Sequence, residues 1–460
     1  MRLKVNSIRD VAEYQLCCGC GACGYLAANS IEMVDTLEYG RRPLVKQGNE
    51  HSGQLSEAMA ACPGQGLAHE FERRDPGLIK ELVREWGPIR EMWEGYAADG
   101  EIRFAGSSGG AATALALYCI EKLGYYGVLH IAARKDVPLL NETVMSRSRE
   151  ELLARTGSRY APASPCDGLQ MIEDAPGPCV FIGKPCDVAA VWKARKLRPR
   201  LDEKIGLTVA FFCAGTPTTK ATLELLRHVG VTDPSKVEGL RYRGNGWPGK
   251  WTVTFRDEAG EIQERNLSYE ESWGILARNK QWRCNLCPDH TGEFADIAVG
   301  DPWYRKIPAG EAGQSLVLAR TERGREVIRS AMGQQAIKLE HAEAWKLPAS
   351  QKNLLKTRGA VWGRLFGLRL AGISIPKYQG MPMFKTWLRT QSLREKVASI
   401  VGAIFRVKRR SLRTRRAVIP IGGIYGASRI VSSTNCFGDT LNASSSGVSV
   451  VKIGQDYSLD

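Results

Sequence analysis

The sequence has no run of roughly 18 apolar residues, so no conventional transmembrane helix is expected. No apolar signal core opens it either; charges are scattered through residues 1–16, and a cytoplasmic location is expected. Only six histidines are present, and none is spaced with a cysteine pair in the zinc-finger manner. No internal repeat is visible, and no motif reads nucleic acid, so that class of partner is not expected. The thirteen cysteines are odd in number, which suits a fully paired disulfide framework poorly. In a reducing compartment so much sulfur points to metal ligands or catalytic groups. A chain rich in sulfur and poor in histidine favours iron–sulfur chemistry over zinc or copper.

Acid is missing from one region. Residues 351–416 carry 17 Lys and Arg against a single acidic residue, Glu395, so this segment accounts for the whole net charge of +15. The basic character therefore speaks of that segment's partners. Apolar and basic residues alternate through 384–416. A peripheral membrane contact, an acidic ferredoxin docking there, and a helical pair packed on the core with a solvated basic face all remain open.

What is there divides into five stretches. Residues 1–70 form a cysteine-rich, ferredoxin-like iron–sulfur head. Residues 71–95 are charged and predicted helical, ending at Trp86-Gly87-Pro88. An α/β pattern comes next: an apolar helix over 111–123, strands over 126–133, 178–183, 205–213, 297–301 and 315–319, a helix over 218–229, and a hairpin from 251–255 to 262–267. Residues 351–416 are a basic helical extension. Residues 417–460, rich in Gly, Ser and Val without a period, are expected to be a disordered tail. The fold class is thus mixed α/β (α+β) with an iron–sulfur head.

Cys17-x2-Cys20-x2-Cys23 carries the ferredoxin spacing, whose fourth ligand is ordinarily a cysteine followed by proline. Cys62-Pro63 supplies one, 38 residues on rather than three. A zinc site or a redox-active cysteine cluster is the alternative. Cys18 adjoins Cys17, but only Cys17 keeps the spacing. A second set is scattered. Cys284-x2-Cys287-Pro288 is a two-ligand hook, and Cys186 and Cys213 each lie just past a predicted strand, where the ends of a parallel sheet line up. A zinc ribbon or plain core cysteines are the alternatives. Cys119 reads as a core residue, Cys166 and Cys179 stay unassigned, and Cys436 reads as inert.

Five motifs in order resemble one family. They are Cys17-Cys-Gly-Cys-Gly-Ala-Cys23, Ser107-Ser-Gly-Gly-Ala-Ala-Thr113, Gly183-Lys-Pro-Cys-Asp-Val-Ala-Ala190, Cys284-x2-Cys-Pro-Asp-His-Thr-Gly-Glu293 and Ala295-Asp-Ile-Ala-Val-Gly-Asp-Pro-Trp303. Together they resemble the coenzyme F420 hydrogenase/dehydrogenase beta subunits (FrhB/FdhB-like), a family that includes 7-hydroxymethyl chlorophyll a reductase-like proteins. The resemblance spans about residues 10 to 410. It implies an N-terminal flavin-binding region over 85–180 and a C-terminal domain with the second cluster over 181–350. It also implies two four-iron (4Fe–4S) clusters, on Cys17, Cys20, Cys23 and Cys62 and on Cys186, Cys213, Cys284 and Cys287, and one FAD.

The implied FAD residues are Ser107, Ser108, Gly109, Gly110 and Thr113, with Arg159, Tyr160 and Lys184. A glycine-rich turn opening a helix offers free N–H groups to a pyrophosphate, though such a run is also an ordinary helix cap. Lys184 reads as a cation for a reduced flavin or a phosphate, or as an exposed turn lysine. His290 reads as a proton carrier, or as a loop histidine bonded to backbone. Lys184 and His290 are the only catalytic candidates. The implied activity is an FAD- and iron–sulfur-dependent oxidoreductase. Its electron partner would be ferredoxin or coenzyme F420, its acceptor a small organic substrate. An electron-relay subunit serving a partner oxidoreductase is the other reading.

Overall fold

A computed structural model describes residues 3–48, 53–308 and 310–422. The expected tail and Cys436 lie almost wholly outside these residues. Up to Ile421 the chain forms one compact unit.

The centre is an eight-stranded mixed sheet: β1 Glu91–Ala97, β2 Gly127–Ala133, β3 Asn141–Ser146, β4 Cys179–Gly183, β5 Ile205–Phe211, β6 Ile297–Gly300, β7 Ser315–Ala319 and β8 Ile337–His341. The spatial order is β8-β1-β7-β6-β5-β4-β2-β3. β2, β4, β5 and β6 run parallel, and the strands flanking them are antiparallel. Alternate residues of a strand face opposite sides. Val180 and Ile182 accordingly pack with helix α1, Ala111–Glu121, while Phe181 packs on the far side with helix α2, Pro185–Arg195. The sheet is buried on both faces, and its central strands read as unbroken apolar runs for that reason. The mixed α/β class expected from the sequence is what the structure has.

The hairpin is present, from Lys250–Arg256 to Ile262–Ser268, with Val237–Arg241 as a third strand. The helix expected from residue 71 to a stop at Trp86-Gly87-Pro88 is not. Only Val83–Trp86 is helical there, and Glu91–Ala97 is strand β1. Charge density without a period does not make a helix. Pro76-Gly77 and Pro88 break the stretch, because proline lacks the N–H that a helix interior needs.

The head comprises short helices, a hairpin pairing Ile31–Thr36 with Gly40–Val45, and buried side chains continuous with the α2 face of the sheet. The extension is helical as expected: α3 Lys352–Leu370, α4 Met383–Thr390 and α5 Leu393–Arg409. Strand Lys377–Gln379 pairs in parallel with Gly66–Ala68, tying the extension to the head.

Candidate functional site

The carboxyl ends of β2, β4, β5 and β6 share one edge, the place where open parallel sheets hold ligands. Two cavities lie there, and a third, within the head, continues the series.

The largest, about 300 Å³, is lined by Ser107, Ser108, Gly110, Thr113, Arg159, Tyr160 and Lys184. Seven of the eight residues expected at a flavin therefore meet around one space. Gly109 does not. Its N–H donates to Ser315 Oγ at 2.8 Å and its carbonyl accepts from Ala97 N–H at 2.7 Å. A Cβ at Gly109 would stand 2.6 Å from the Gly95 carbonyl, so glycine is needed for packing against the sheet. No side chain caps the N-terminus of α1, and Ala111, Ala112 and Thr113 of its first turn line the cavity. The first-turn N–H groups of a helix have no intrahelical acceptor and favour an anion.

Arg159 serves the frame. Its guanidinium donates to Asn141 Oδ1 at 2.8 Å and to the carbonyls of Leu240 and Pro138 at 2.6 Å each. The ammonium of Lys184 sits 2.6 Å from Asp187. Burial opposes its charge, but Asp187 and the Cys186 sulfur outweigh that and hold it above the usual lysine range. Lys184 is thus a fixed cation and not the loose turn lysine.

Sequence reasoning missed the opposite wall. Arg243 is buried and makes a two-pronged ion pair with Asp301, 2.9 Å on each arm, and its guanidinium lies 4.7 Å from the Tyr269 ring. Asp301 also accepts from Trp247 Nε1 at 2.9 Å. The Tyr160 hydroxyl accepts from Arg243 at 3.2 Å. Trp273 and Trp303 complete an aromatic wall. The available signal was the run Arg243-Gly-Asn-Gly-Trp-Pro-Gly249, where Gly244, Asn245, Gly246 and Gly249 all have positive φ.

The second cavity is lined by Cys186, Cys213, Cys284 and Cys287, joined by Cys18, Arg283 and His290. The four expected thiols converge because Cys186 opens α2, Cys213 lies just past β5, and the hook swings in from Trp282–Leu286. Asp289 shapes that hook, accepting N–H bonds from Thr291, Gly292 and Glu293 at 3.0, 2.8 and 2.8 Å. Gly215 has φ +116, and a Cβ on it would come 3.2 Å from Cys284 Cβ. Thr216 N–H donates to Cys284 Sγ at 3.3 Å. His290 is the backbone-bonded histidine: its Nδ1 donates to the Cys213 carbonyl at 2.8 Å. Burial pushes it down to about 4, so it is neutral at physiological pH.

The third cavity is lined by Cys17, Cys20, Cys23 and Cys62, again with Cys18. Gly19 N–H donates to Cys17 Sγ at 3.3 Å. Cys166, unassigned from sequence, donates its N–H to the Cys20 carbonyl at 2.9 Å and sets its thiol beside that of Cys20. Cys119 and Cys179 are buried core residues.

Burial, and then neighbouring sulfurs, push Cys62 up to about 12; burial, and then Cys284, push Cys213 up to about 11. Bare, these thiols stay protonated; a bound cation is what ionises a coordinating thiol. Cations are placed nearby. Arg42 and Arg283 both act on Cys17, and Lys193 donates to the Cys62 carbonyl at 3.2 Å. Arg283 donates from Nη2 to the Pro63 carbonyl at 2.9 Å, while its buried Nε and Nη1 have no protein partner among the described residues. No three His, Cys, Asp or Glu among the described residues form a group that could hold a metal ion; the two thiol sets line the second and third cavities.

Shared walls link the three spaces. Cys213, Gly215 and Thr216 line both the largest and the second cavity, and Cys18 lines both the second and the third.

A chain with sulfur-lined cavities in file behind a strand-end cleft has known relatives. Residues 92–170 match the coenzyme F420 hydrogenase/dehydrogenase beta subunit N-terminal profile, and residues 178–344 match the C-terminal profile. The chain belongs to the coenzyme F420 hydrogenase/dehydrogenase beta subunit family. It is 28% identical over 247 residues to the F420-dependent formate dehydrogenase 1 subunit beta of Methanococcus maripaludis, covering 52% of this chain and 59% of that one. It is 24% identical over 241 residues to the coenzyme F420 hydrogenase subunit beta of Methanosarcina barkeri, covering 51% and 76%. The solved F420-reducing NiFe hydrogenase complex of Methanosarcina barkeri, in a xenon-derivatised crystal, contains a chain that aligns with a TM-score of 0.46 at 21% identity, covering 61% of this chain and 94% of that one. The chain thus spans about three-fifths of the first of these relatives. Among the described residues no helix is long and apolar enough to cross a membrane.

Proposed function

We propose that this chain is an iron–sulfur flavoprotein oxidoreductase subunit, carrying electrons between a one-electron carrier and an organic two-electron partner. The observation that carries this reading is the series of three cavities with common walls. In it, Cys17, Cys20, Cys23 and Cys62 hold one four-iron cluster, Cys186, Cys213, Cys284 and Cys287 hold a second, and the largest cavity holds FAD.

The residues fit those groups. Both donor sets are all-thiol, which suits iron–sulfur chemistry, and they surround a space, as a polyatomic cluster requires. Arg283 lines the second cavity and has two buried nitrogens without a hydrogen-bond partner among the described residues, and a cation there suits an anionic cluster. The uncapped N-terminus of α1 suits a pyrophosphate. When bound, the clusters carry single electrons and the flavin exchanges one electron or two.

The chain's own residues set the conditions. Gly19 and Thr216 N–H groups hold the sulfurs of Cys17 and Cys284, and such bonds tune cluster potential. Lys184 keeps a positive charge beside Cys213 and the flavin cavity, favouring an anionic reduced flavin. Arg243, fixed by Asp301, and the ring of Trp273 give a planar partner an aromatic, cationic wall. Coenzyme F420, named in the relatives, is a candidate for that partner, and ferredoxin for the one-electron carrier.

The test is anaerobic purification, then iron, sulfide and flavin analysis. About eight irons and one flavin per chain are expected on the four-iron stoichiometry. About four irons or fewer would remove the two-cluster reading, and absence of flavin would remove the reductase mechanism. Bleaching by reduced F420 or by reduced ferredoxin then chooses the partner.

A further inference from the structure

The extension beyond residue 350 has an inverted helix. Along α5, Ser399, Ala403 and Val407 are buried at i, i+4 and i+8. They lie against α3, whose facing residues include Gly363 and Gly367; a side chain at Gly363 would collide with Ser399, and one at Gly367 with the Ile400 carbonyl, while Gly359 packs against Thr390 and Gln391 at the end of α4. The small residues are inside. The large ones are outside: Leu393 is 79% exposed and Phe405 72%, with Val397, Val401 and Ile404 exposed between them. These five fall on one continuous helical stripe, turned away from the buried one. Phe384 and Leu388 of α4 add to the exposed apolar surface. An ordinary surface helix buries its large apolar residues and shows its small polar ones, so an apolar stripe of this length facing water marks an interaction surface.

Charge decides what covers it. Arg389, Arg394, Arg406, Lys408 and Arg409 flank the stripe, and within 351–416 the only acidic residue, Glu395, is spent on the cap of α5 and on Lys356 at 2.6 Å. Arg406 and Arg409 repel Arg410. An apolar stripe within dense, uncompensated positive charge complements an anionic lipid surface: acyl chains take the stripe, and headgroup phosphates take the arginines. Close helix approach through glycine and small residues, with large side chains outward, is also how helix pairs that face lipid are built.

We propose that α4 and α5 form an in-plane docking face for an anionic membrane surface. α3 also grips the hook: Arg364 donates to the Asn285 carbonyl at 2.9 Å. Docking would therefore bring the membrane to the side of the molecule that carries Cys284 and Cys287.

The test is sedimentation of the full-length protein with vesicles of phosphatidylglycerol and phosphatidylcholine, and with phosphatidylcholine alone, at low and high salt. Pelleting is expected with the anionic vesicles at low salt, at least tenfold weaker with neutral vesicles or at high salt. The double variant L393S/F405S, altered only at exposed positions, should weaken it at least tenfold while keeping the wild-type thermal midpoint and iron content. No pelleting with anionic vesicles overturns the proposal. Pelleting that survives the double variant overturns it too, because binding then lies elsewhere. A wild-type dimer that the double variant converts to monomer would assign the stripe to a second copy of the chain and not to lipid. The assay reads lipid binding directly, so its outcome is independent of the clusters and the flavin.

Discussion

The two thiol sets are built on opposite principles. The head set is local: three of its four members fall within seven residues, and the Cys17-x2-Cys20-x2-Cys23 loop needs only its own turns to converge. The strand-end set is topological: Cys186 and Cys213 meet Cys284 only because β4 and β5 are parallel neighbours and end on the same edge. A local set survives damage to the rest of the fold, whereas a topological one reports on the fold's integrity. Cys62 and Lys193 lie between these extremes, since the α2 lysine pins the carbonyl of a head cysteine.

The largest expected effect comes from deleting one thiol of each set. Cys20→Ala and Cys213→Ala should each lower iron from about eight to about four per chain, on the four-iron stoichiometry. Their effects on electron transfer should differ. Cys213 shares its wall with the largest cavity, so with FAD there as proposed C213A should stop flavin reduction by a one-electron donor while direct reduction by a hydride donor persists. C20A should lose rapid reduction by the donor only if the head set comes first in the path. Iron analysis and stopped-flow absorbance read both. Equal loss of all iron in either variant would erase the distinction between a local and a topological set.

The next effect is on stability, and it falls on the topological set. Glu293 closes the hook motif and is buried between Arg358 of α3 and His69, the latter at 3.2 Å. Burial opposes its charge, but Arg358 and then His69 hold it down at about 2. Its folded value lies below the ordinary 4.5, so its contribution is present above pH 4.5 and is lost as pH falls through about 2. Glu293→Gln leaves Arg358 buried without its counter-charge and should cost about 3–5 kcal/mol in urea unfolding at pH 7. The deficit should narrow below pH 4.5, where wild type loses the same interaction. The head iron should resist the variant better than the strand-end iron.

How much of this could be read from the sequence obeys the same division. The head spacing, the apolar strands and helix α1 are local patterns and were legible, whereas α2, read only as a turn at Lys184-Pro185-Cys186, was not. Cys186 and Cys213 were legible as strand-end residues, though their meeting with the hook needed the resemblance. Arg243 was not, because its role depends on Asp301, 58 residues away, and on a loop whose turns come from scattered positive φ. Gly109 errs in the other direction: a glycine in a ligand-like run serves a neighbouring strand. The stretch 71–82 shows that charge without period is no helix signal once Pro76-Gly77 interrupts it.

A smaller effect separates the sets electrostatically. Arg283 lines the second cavity and is the foremost charge acting on Cys287, whereas on Cys17 it ranks behind Arg42. Removing a cation makes an added electron less welcome. Arg283→Gln should therefore lower the midpoint potential of the strand-end cluster by about 60 mV, one tenfold change for a one-electron couple, and that of the head cluster by less. Redox titration monitored by electron paramagnetic resonance resolves the two. A larger shift in the head cluster would contradict the placement of Arg283.

The smallest effect is expected at the residue both sets share. Cys18 lines both sulfur cavities, and Cys186 and Cys20 hydrogen-bond to its sulfur, which hold it well below the usual thiol range. Its position allows it to replace either neighbour as a ligand, yet each set already has four thiols without it. Cys18→Ser keeps a side chain of similar size whose hydroxyl can donate to a neighbouring ligand sulfur, so iron content should stay at about eight per chain and thermal stability should change by less than about 1 kcal/mol. The potentials should move slightly, because hydrogen bonds to sulfur are part of what sets them. If C18S instead loses about four irons, Cys18 is a ligand, and the neighbour it displaces is identified by the single-thiol variant that keeps its iron. Cys20 would then be the first to re-examine, because Cys166 already occupies its other side.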